Sequence, residues 1–242
     1  MEITKQEAEN LRPPRGRVII EVPNIISEDV KIGEAIISVR AISDEARVDM
    51  GSRSGIVHSV SPYADIPALC YTWDGPVEIE KGDLVYFSHD AIAKAATVQR
   101  DEAYYYTFND EGQTRCLLVV PYKEIILCIR ESDGKFSTDH IYALNDYVVI
   151  KKVLKPKPSF LYMPDEYEKD IFEVVYPPTG DIVYDWREGY LKSNWKNTKV
   201  DKGMIVKSKS KSPVKLEFKY KQLMTEDLYY LQSHTIIAQV NG

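Results

Sequence analysis

The sequence is poor in cysteine and histidine, and neither residue type occurs at a metal-binding spacing. The 242 residues include three cysteines and four histidines. None of them forms the short Cys-x-x-Cys or His-x-x-x-His steps that zinc sites use, and an odd number of cysteines does not build a disulfide framework. We therefore expect buried structural thiols, no bound metal and a reducing, cytoplasmic compartment. The residues concerned are Cys70, Cys116, Cys128, His58, His89, His140 and His234.

Long apolar runs and catalytic signatures are also missing. No run approaches the ~20 apolar residues of a membrane helix, and residues 1–12 are polar, without the apolar stretch of a secretory signal. Glycine-rich phosphate-binding loops do not occur, and no serine or cysteine stands in a nucleophile-elbow context that would make His89-Asp90 a catalytic pair. The sequence thus predicts no membrane partner, no cofactor and no catalytic residue, and we do not expect an enzyme.

What the sequence does contain is a succession of short apolar runs bounded by glycine, proline, asparagine and aspartate. Their length and their β-branched and aromatic bias are typical of strands, and 17 tyrosines suit half-buried pleated surfaces. Amphipathic helix patterns are scarce, with one short candidate at residues 4–11. The predicted class is all-β. Examples of the runs are residues 18–22, 55–60, 83–87, 116–120, 125–129 and 147–151.

Four blocks of sequence occur twice, in the same order and at similar spacing. Internal repeats of this kind predict two copies of one module. Between the copies, Ser132-Asp133-Gly134 is a turn sequence, so we predict a first domain at 1–130, a linker at 131–140 and a second domain at 141–242. The matched blocks are residues 15–22 with 145–152, 54–58 with 179–184, 77–85 with 199–206, and 120–129 with 231–240.

Taken together, the blocks resemble the GroES-like co-chaperonin family. Each copy opens on Val-Ile-Ile or Val-Val-Ile, continues through a long loop to a glycine followed by valines, and then reaches a Lys-Gly turn. The strongest stretches are residues 77–87 and 122–129, whereas the second copy has Met204 where the family has an acid. The resemblance covers nearly the whole chain and implies two tandem small GroES-like β-barrels.

In that family, the barrels assemble into a ring that caps a chaperonin, and an apolar tripeptide in a long loop docks on it. The resemblance implies a ring-forming co-chaperonin-like protein in protein folding. Its partners would be further copies of itself and a chaperonin or another large protein assembly. The long loops are residues 23–53 and 155–178. The docking residues carried over onto them are Ala35, Ile36 and Ile37 in the first, and Phe160, Leu161, Tyr162 and Met163 in the second.

A second hypothesis, from a different class, stays open. Residues 28–40 read like an ordered strand, and the second loop is rich in proline and bulky aromatic residues. Both features are typical of a permanent interface rather than a reversible contact. The alternative is therefore a structural ring component of a phage virion or tail that reuses the barrel without chaperonin binding, with the virion as its location.

Charge is unevenly distributed along the chain. Residues 1–140 carry 15 basic and 24 acidic residues, a net charge of −9, whereas residues 141–242 carry 16 and 13, a net charge of +3. This asymmetry allows the acidic half of one subunit to face the basic half of another, although two independently solvated surfaces explain it equally well.

Two local runs each have two interpretations. Six lysines at odd positions are interpreted as a solvated edge strand or as a stripe for an acidic partner; because the run has no arginine and the chain has a net charge of −6, nucleic acid is not an expected partner. Tyr104 to Phe108 is either an exposed interface or a hairpin of the first module. The lysines are Lys207, Lys209, Lys211, Lys215, Lys219 and Lys221.

Overall fold

A computed structural model describes residues 2–14, 16–22, 29–32, 35–38, 54–61, 78–88, 105–155, 166–178, 182–185, 190–193, 200–209, 213–216 and 226–240. Strands dominate these ranges, and every strand pair recorded in them is antiparallel, so the predicted all-β class is confirmed. The described part contains one α-helix, α1 (Lys5–Asn10). None of the described residues belongs to a helix that is long and apolar enough to cross a membrane.

The described ranges up to residue 132 contain eight strands. They are β1 (Arg17–Val22), β2 (Asp29–Ile32), β3 (Ala35–Ser38), β4 (Ser54–Val60), β5 (Leu84–Phe87), β6 (Tyr105–Asp110), β7 (Gln113–Pro121) and β8 (Ile125–Ser132). Nine more follow. They are β9 (Lys135–Ala143), β10 (Tyr147–Leu154), β11 (Tyr167–Tyr176), β12 (Ile182–Asp185), β13 (Tyr190–Ser193), β14 (Ile205–Ser208), β15 (Val214–Lys215), β16 (Tyr229–Gln232) and β17 (Ile236–Gln239).

The strands form two large sheets and two small ones. The larger sheets have the orders β6-β7-β1-β4-β5-β8-β9 and β15-β16-β10-β11-β14-β17, and the small ones are the pairs β2-β3 and β12-β13. Over the described ranges no sheet closes on itself, so the closed barrel stays a prediction. The chain divides into two compact units, of which the first comprises Met1–Ala64 and Val77–Ile125, and the second Asp65–Pro76 and Ile126–Gly242.

One strand order occurs twice in these sheets. The order β6-β7-β1-β4-β5-β8, called the first repeat below, matches β15-β16-β10-β11-β14-β17, the second repeat. The pairing register also matches, because Ile20 lies opposite Val57 and Ile150 lies opposite Val174, with an irregularity one residue earlier in β1 and in β10. The internal duplication inferred from the sequence is therefore present in the strand topology.

The Lys-Gly turns that precede β5 and β14 are equivalent as well. Gly82 (φ 98°) donates a hydrogen bond to the Val57 carbonyl (2.9 Å), and Gly203 (φ 83°) donates one to the Val174 carbonyl (2.8 Å). Glycine adopts this left-handed conformation without the steric cost that a Cβ atom brings.

One matched block is wrong. The sequence match pairs residues 179–184 with 54–58, but the counterpart of β4 is β11, because Val174 takes the register place of Val57. Residues 182–185 form β12 of a separate two-stranded sheet. The second long loop, predicted at 155–178, correspondingly ends at β11.

The predicted linker is part of a hairpin. Residues 131–140 lie in β8, β9 and the turn between them, where Asp133 (φ 54°) and Gly134 (φ 76°) follow Ser132 in the way the turn sequence indicated. Two successive left-handed residues suit a tight two-residue hairpin. The division between the compact units falls earlier, between Ile125 and Ile126.

Each repeat has its own apolar cluster. Alternation along strands buries one side chain in two, and near-continuous burial in β5, β7 and β8 marks central positions of the sheet. One cluster of the first repeat contains Ala8, Ile19, Phe108, Leu117 and Val119. The cluster of the second contains Val148, Ile150, Phe172, Val174, Val200, Val206, Leu231 and Ile236.

Candidate interaction sites

The first predicted docking segment lies in a hairpin. β2 and β3 pair Ile32 with Ala35, Lys31 with Ile36, and Val30 with Ile37. The tripeptide at residues 35–37 is therefore on β3, and the prediction that this part of the loop is strand-like is confirmed for 29–32 and 35–38. The hairpin is inserted in the chain between β1 and β4.

The second predicted docking segment comes at the equivalent place in the other repeat, between β10 and β11. Its four residues lie outside the described ranges, so their contribution stays a prediction. They are Phe160, Leu161, Tyr162 and Met163.

The segment ahead of β1 is fixed against the first repeat. α1 begins with a capping box, in which the Glu7 N–H donates to Thr4 Oγ1 (3.2 Å) and the Thr4 N–H donates to Glu7 Oε2 (2.8 Å). The Thr4 N–H, together with the Thr4 hydroxyl that donates to the same carboxylate oxygen (2.8 Å), lowers the pKa of Glu7. Ala8 is buried, and its carbonyl oxygen lies 2.9 Å from His58 Nε2. His58, for which the sequence offered no role, therefore contacts the N-terminal segment.

Four charged side chains connect α1 with β6, β7 and β1. Lys5 Nζ lies 2.7 Å from Asp110 Oδ1, Arg115 Nε lies 3.0 Å from Asp110 Oδ2, and Arg115 Nη1 lies 2.6 Å from Glu21 Oε1. The hydrogen bond from Lys5 lowers the pKa of Asp110, and the bond to Glu21 raises the pKa of Arg115. These ion pairs could not be predicted from the sequence, because the four residues are far apart in it and meet only when the strands pair.

The outer edges of the two repeats differ. In the first, β8 is buried from Ile125 to Ile129 and pairs with β9 along its outer side. In the second, only Ile236 of β17 is buried, and Ile237 is 47% exposed. No described strand pairs with the outer side of β17.

An open groove runs along β10, β11 and β16. Lys152 Nζ lies 4.8 Å from the ring centroid of Tyr229 and 5.6 Å from that of Tyr167. Lys151 Nζ lies 3.2 Å from Glu173 Oε1. Each lysine thus has an attractive neighbour inside the groove, an aromatic ring for Lys152 and a carboxylate for Lys151.

The lysine run does not form one stripe. Lys207 is on β14 and Lys215 on β15, and three strands separate β14 from β15 in the sheet order. Lys215 is paired with Asp227 at 2.8 Å. Lys211, Lys219 and Lys221 lie outside the described residues.

The described part of the aromatic run, residues 105–108, lies in a hairpin of the first repeat. β6 pairs with β7, placing Tyr106 opposite Leu117 and Phe108 opposite Arg115. Phe108 is 7% exposed and packs with Ala8. This part of the run therefore belongs to the first repeat's own core.

Among the described residues, no three histidine, cysteine, aspartate or glutamate side chains are placed to hold a metal ion. Cys116 and Cys128 are buried free thiols, as expected, and Cys70 lies outside the described ranges. Burial raises the pKa of Cys116 to about 11, so this thiol stays protonated at neutral pH and is a poor nucleophile.

No protein-family model and no curated protein matches the chain. The GroES-like resemblance therefore rests on the residues of this chain alone.

Proposed function

We propose that the chain is a ring-forming, non-enzymatic co-chaperonin-like protein built of two GroES-like barrel modules. The observation that carries the proposal is the duplicated strand order, with an insertion at the same place in each copy. A protein made of two copies of one module is suited to a symmetric assembly, since each chain already contains one of the contacts between modules.

The proposed docking element is the β2-β3 hairpin, with Ala35, Ile36 and Ile37 as its anchor and Phe160 to Met163 as the second one. A preformed hairpin loses less conformational entropy on binding than a disordered loop. Single docking sites of this size are weak, but a ring presents several at once, and linked sites bind far more tightly than one alone.

Co-sedimentation of the purified protein with a bacterial chaperonin, with and without nucleotide, tests the proposal. We expect nucleotide-dependent binding that Ile36→Asp together with Leu161→Asp weakens by at least about 30-fold, since loss of a central apolar anchor costs about 2 kcal/mol or more. Lys135→Asp, an exposed substitution in the β8-β9 hairpin, is the matched control and should leave binding unchanged.

An assembled ring that does not bind chaperonin under any nucleotide condition would contradict the docking role. It would support the alternative, a structural ring of a phage virion or tail, and the protein should then be found in purified virions.

A further inference from the structure

The ladder between β10 and β16 is shorter than its counterpart in the first repeat. There, β1 and β7 stay paired up to Val22 opposite Cys116, whereas β10 and β16 are paired up to Ile150 opposite Tyr229. β10 continues past the last pair of this ladder, and its residues 151–154 line the groove described above. The groove has a volume of about 670 Å³, which lies in the range of ligand-binding pockets.

The side chains at this end of the ladder also differ between the repeats. Val22 and Leu118 are buried in the first repeat, and the residues at the same register places in the second are Lys152 and Tyr229. Lys152 is exposed, and its Nζ lies near the rings of both Tyr229 and Tyr167. The second repeat thus exposes a cation where the first has a buried apolar side chain.

The main chain of β10 faces the groove as well. The Lys155 N–H donates to the carbonyl of Glu166 (2.8 Å), on the β11 side of the strand. Backbone groups alternate sides along a strand. The N–H and carbonyl groups of Leu154 and Lys152 therefore point to the other side, on which β16 pairs with β10.

The charges that line the groove favour an anionic ligand. Each of its carboxylates has a lysine partner, whereas Lys152 has aromatic rings and no described carboxylate within ion-pair distance. A carboxylate brought to Lys152 would form a charge-assisted hydrogen bond. The existing pairs are Glu173 and Glu226 with Lys151 (3.2 and 3.7 Å), and Asp227 with Lys215 (2.8 Å).

An exposed apolar pair lies two residues further along β10. Leu154 is opposite Tyr167, and their side chains are 51% and 49% exposed. Residues two apart on a strand share a face, so Leu154 and Lys152 are on the same face. An extended ligand that follows β10 would therefore meet a cation and then an apolar side chain.

We propose that this groove binds an extended peptide of a partner protein, which pairs antiparallel with β10 beyond the end of β16. The peptide places an acidic residue opposite Lys152 and an apolar residue opposite Leu154. In strand addition of this kind, main-chain hydrogen bonds supply affinity, and alternate side chains supply specificity. The inference goes beyond the proposed function and does not depend on a ring.

Fluorescence anisotropy with a labelled synthetic peptide tests the site. The probe is a blocked nonapeptide, Lys-Thr-Val-Thr-Glu-Thr-Val-Thr-Lys, in which a valine lies two residues from the glutamate in both directions. We expect saturable binding that Lys152→Glu weakens at least about tenfold, since a hydrogen bond to a charged group is lost. A probe with lysine in place of the glutamate should recover binding to this variant.

The matched control is Lys207→Glu, on β14 of the same sheet, which should leave binding unchanged. Lys152 and Lys207 are both exposed, so neither substitution should unfold the sheet. Leu154→Ser should weaken binding at least about threefold through the loss of apolar contact area.

N-methylated probes distinguish strand addition from a charge contact alone. In the antiparallel register, the N–H groups of the glutamate and the valines face β10, and those of the threonines between them point away. Methylation of the glutamate nitrogen should therefore abolish binding, whereas methylation of the next threonine nitrogen should not.

Three results would each overturn the proposal: equal binding of the two methylated probes, equal binding by the Lys152→Glu and Lys207→Glu variants, or no binding at millimolar probe. Self-association of the chain that Lys152→Glu abolishes, without binding of the probe, would assign the groove to a second copy instead.

Discussion

The two repeats share equivalent backbone hydrogen bonds, but the side chains at the bonded positions differ. The Tyr122 N–H donates to the Gly16 carbonyl (2.9 Å), and the Ser233 N–H donates to the Asp146 carbonyl (2.8 Å). Gly16 and Asp146 have nearly the same positive φ, 68° and 65°. The left-handed conformation is free for glycine but costs energy for aspartate.

In the second repeat, side chains compensate for that cost. The Ser233 hydroxyl donates to the buried carboxylate of Asp146. In the first, Tyr122 instead accepts a hydrogen bond from the Glu78 N–H through its hydroxyl (3.1 Å). Main-chain geometry is therefore what the duplication has kept, and the side chains around it are exchangeable.

The largest expected loss of stability is at a register position where the two repeats carry very different residues. Gly55 and Phe172 correspond, since Ile56 lies opposite Glu21 and Glu173 lies opposite Lys151. Phe172 is 4% exposed. Phe172→Ala should lower the free energy of unfolding of the second repeat by about 3–5 kcal/mol through the cavity it leaves. Urea unfolding followed by hydrogen exchange, which separates the two repeats, measures it.

The matched substitution at the other copy is Gly55→Ala. A Cβ atom there would lie 2.4 Å from the Glu21 carbonyl oxygen, so adding one carbon should cost the first repeat about 1–3 kcal/mol. An unchanged free energy of unfolding for Gly55→Ala would contradict the close approach of the Glu21 carbonyl oxygen.

A smaller effect concerns the residue after the Lys-Gly turn. Asp83 Oδ2 accepts a hydrogen bond from the Glu80 N–H (2.9 Å), and Met204 Sδ lies 3.2 Å from the Asp201 nitrogen in the other copy. Asp83→Ala should cost about 1–2 kcal/mol, because a carboxylate acceptor is lost at a buried position. Thermal unfolding measures the difference.

Two controls sharpen this contrast. Asp83→Asn keeps an acceptor oxygen and should cost less than the alanine variant. Met204→Leu should cost less than about 1 kcal/mol, because it conserves volume and a thioether is only a weak acceptor. Equal losses for Asp83→Ala and Met204→Leu would contradict a specific role for the carboxylate.

The smallest effect concerns the ion pairs that connect α1 with the strands of the first repeat. Its hydrogen bond with Lys5 lowers the pKa of Asp110 in the folded state. A carboxyl with a lowered folded pKa stabilises the fold fully above its unfolded pKa, and that contribution disappears as the pH falls through the folded value. Asp110→Asn should therefore reduce the melting temperature slightly at pH 7.

Melting curves between pH 7 and strongly acidic conditions check the sign. The difference between Asp110→Asn and the parent protein should shrink as the pH falls below the ordinary carboxyl range. A difference that grows on acidification would show that Asp110 is not stabilised as the anion.

Much of the fold could be predicted from sequence because three of the four blocks coincide with strands and turns that recur in register. The match of the block at 54–58 is wrong because it aligns Gly55 with Gly180, whereas the register aligns Gly55 with Phe172. Residue 55 must be glycine because the Glu21 carbonyl oxygen lies close to it. The corresponding residue in the second repeat is Phe172, so matching identical residues does not find this correspondence.

The predicted linker coincides with the β8-β9 hairpin for a related reason. Residues 131–140 are polar apart from Phe136 and are exposed or half-buried, so they lack the apolar alternation by which strands are recognised. The open β17 edge and the contact of His58 with Ala8 depend on long-range pairing. Neither leaves a local pattern in a single sequence.

Native mass spectrometry of the full chain tests the central claim, a ring of duplicated modules, most directly. We predict one dominant closed oligomer with a mass that is an integer multiple of 27.7 kDa. A single species at the monomer mass across micromolar concentrations would contradict it.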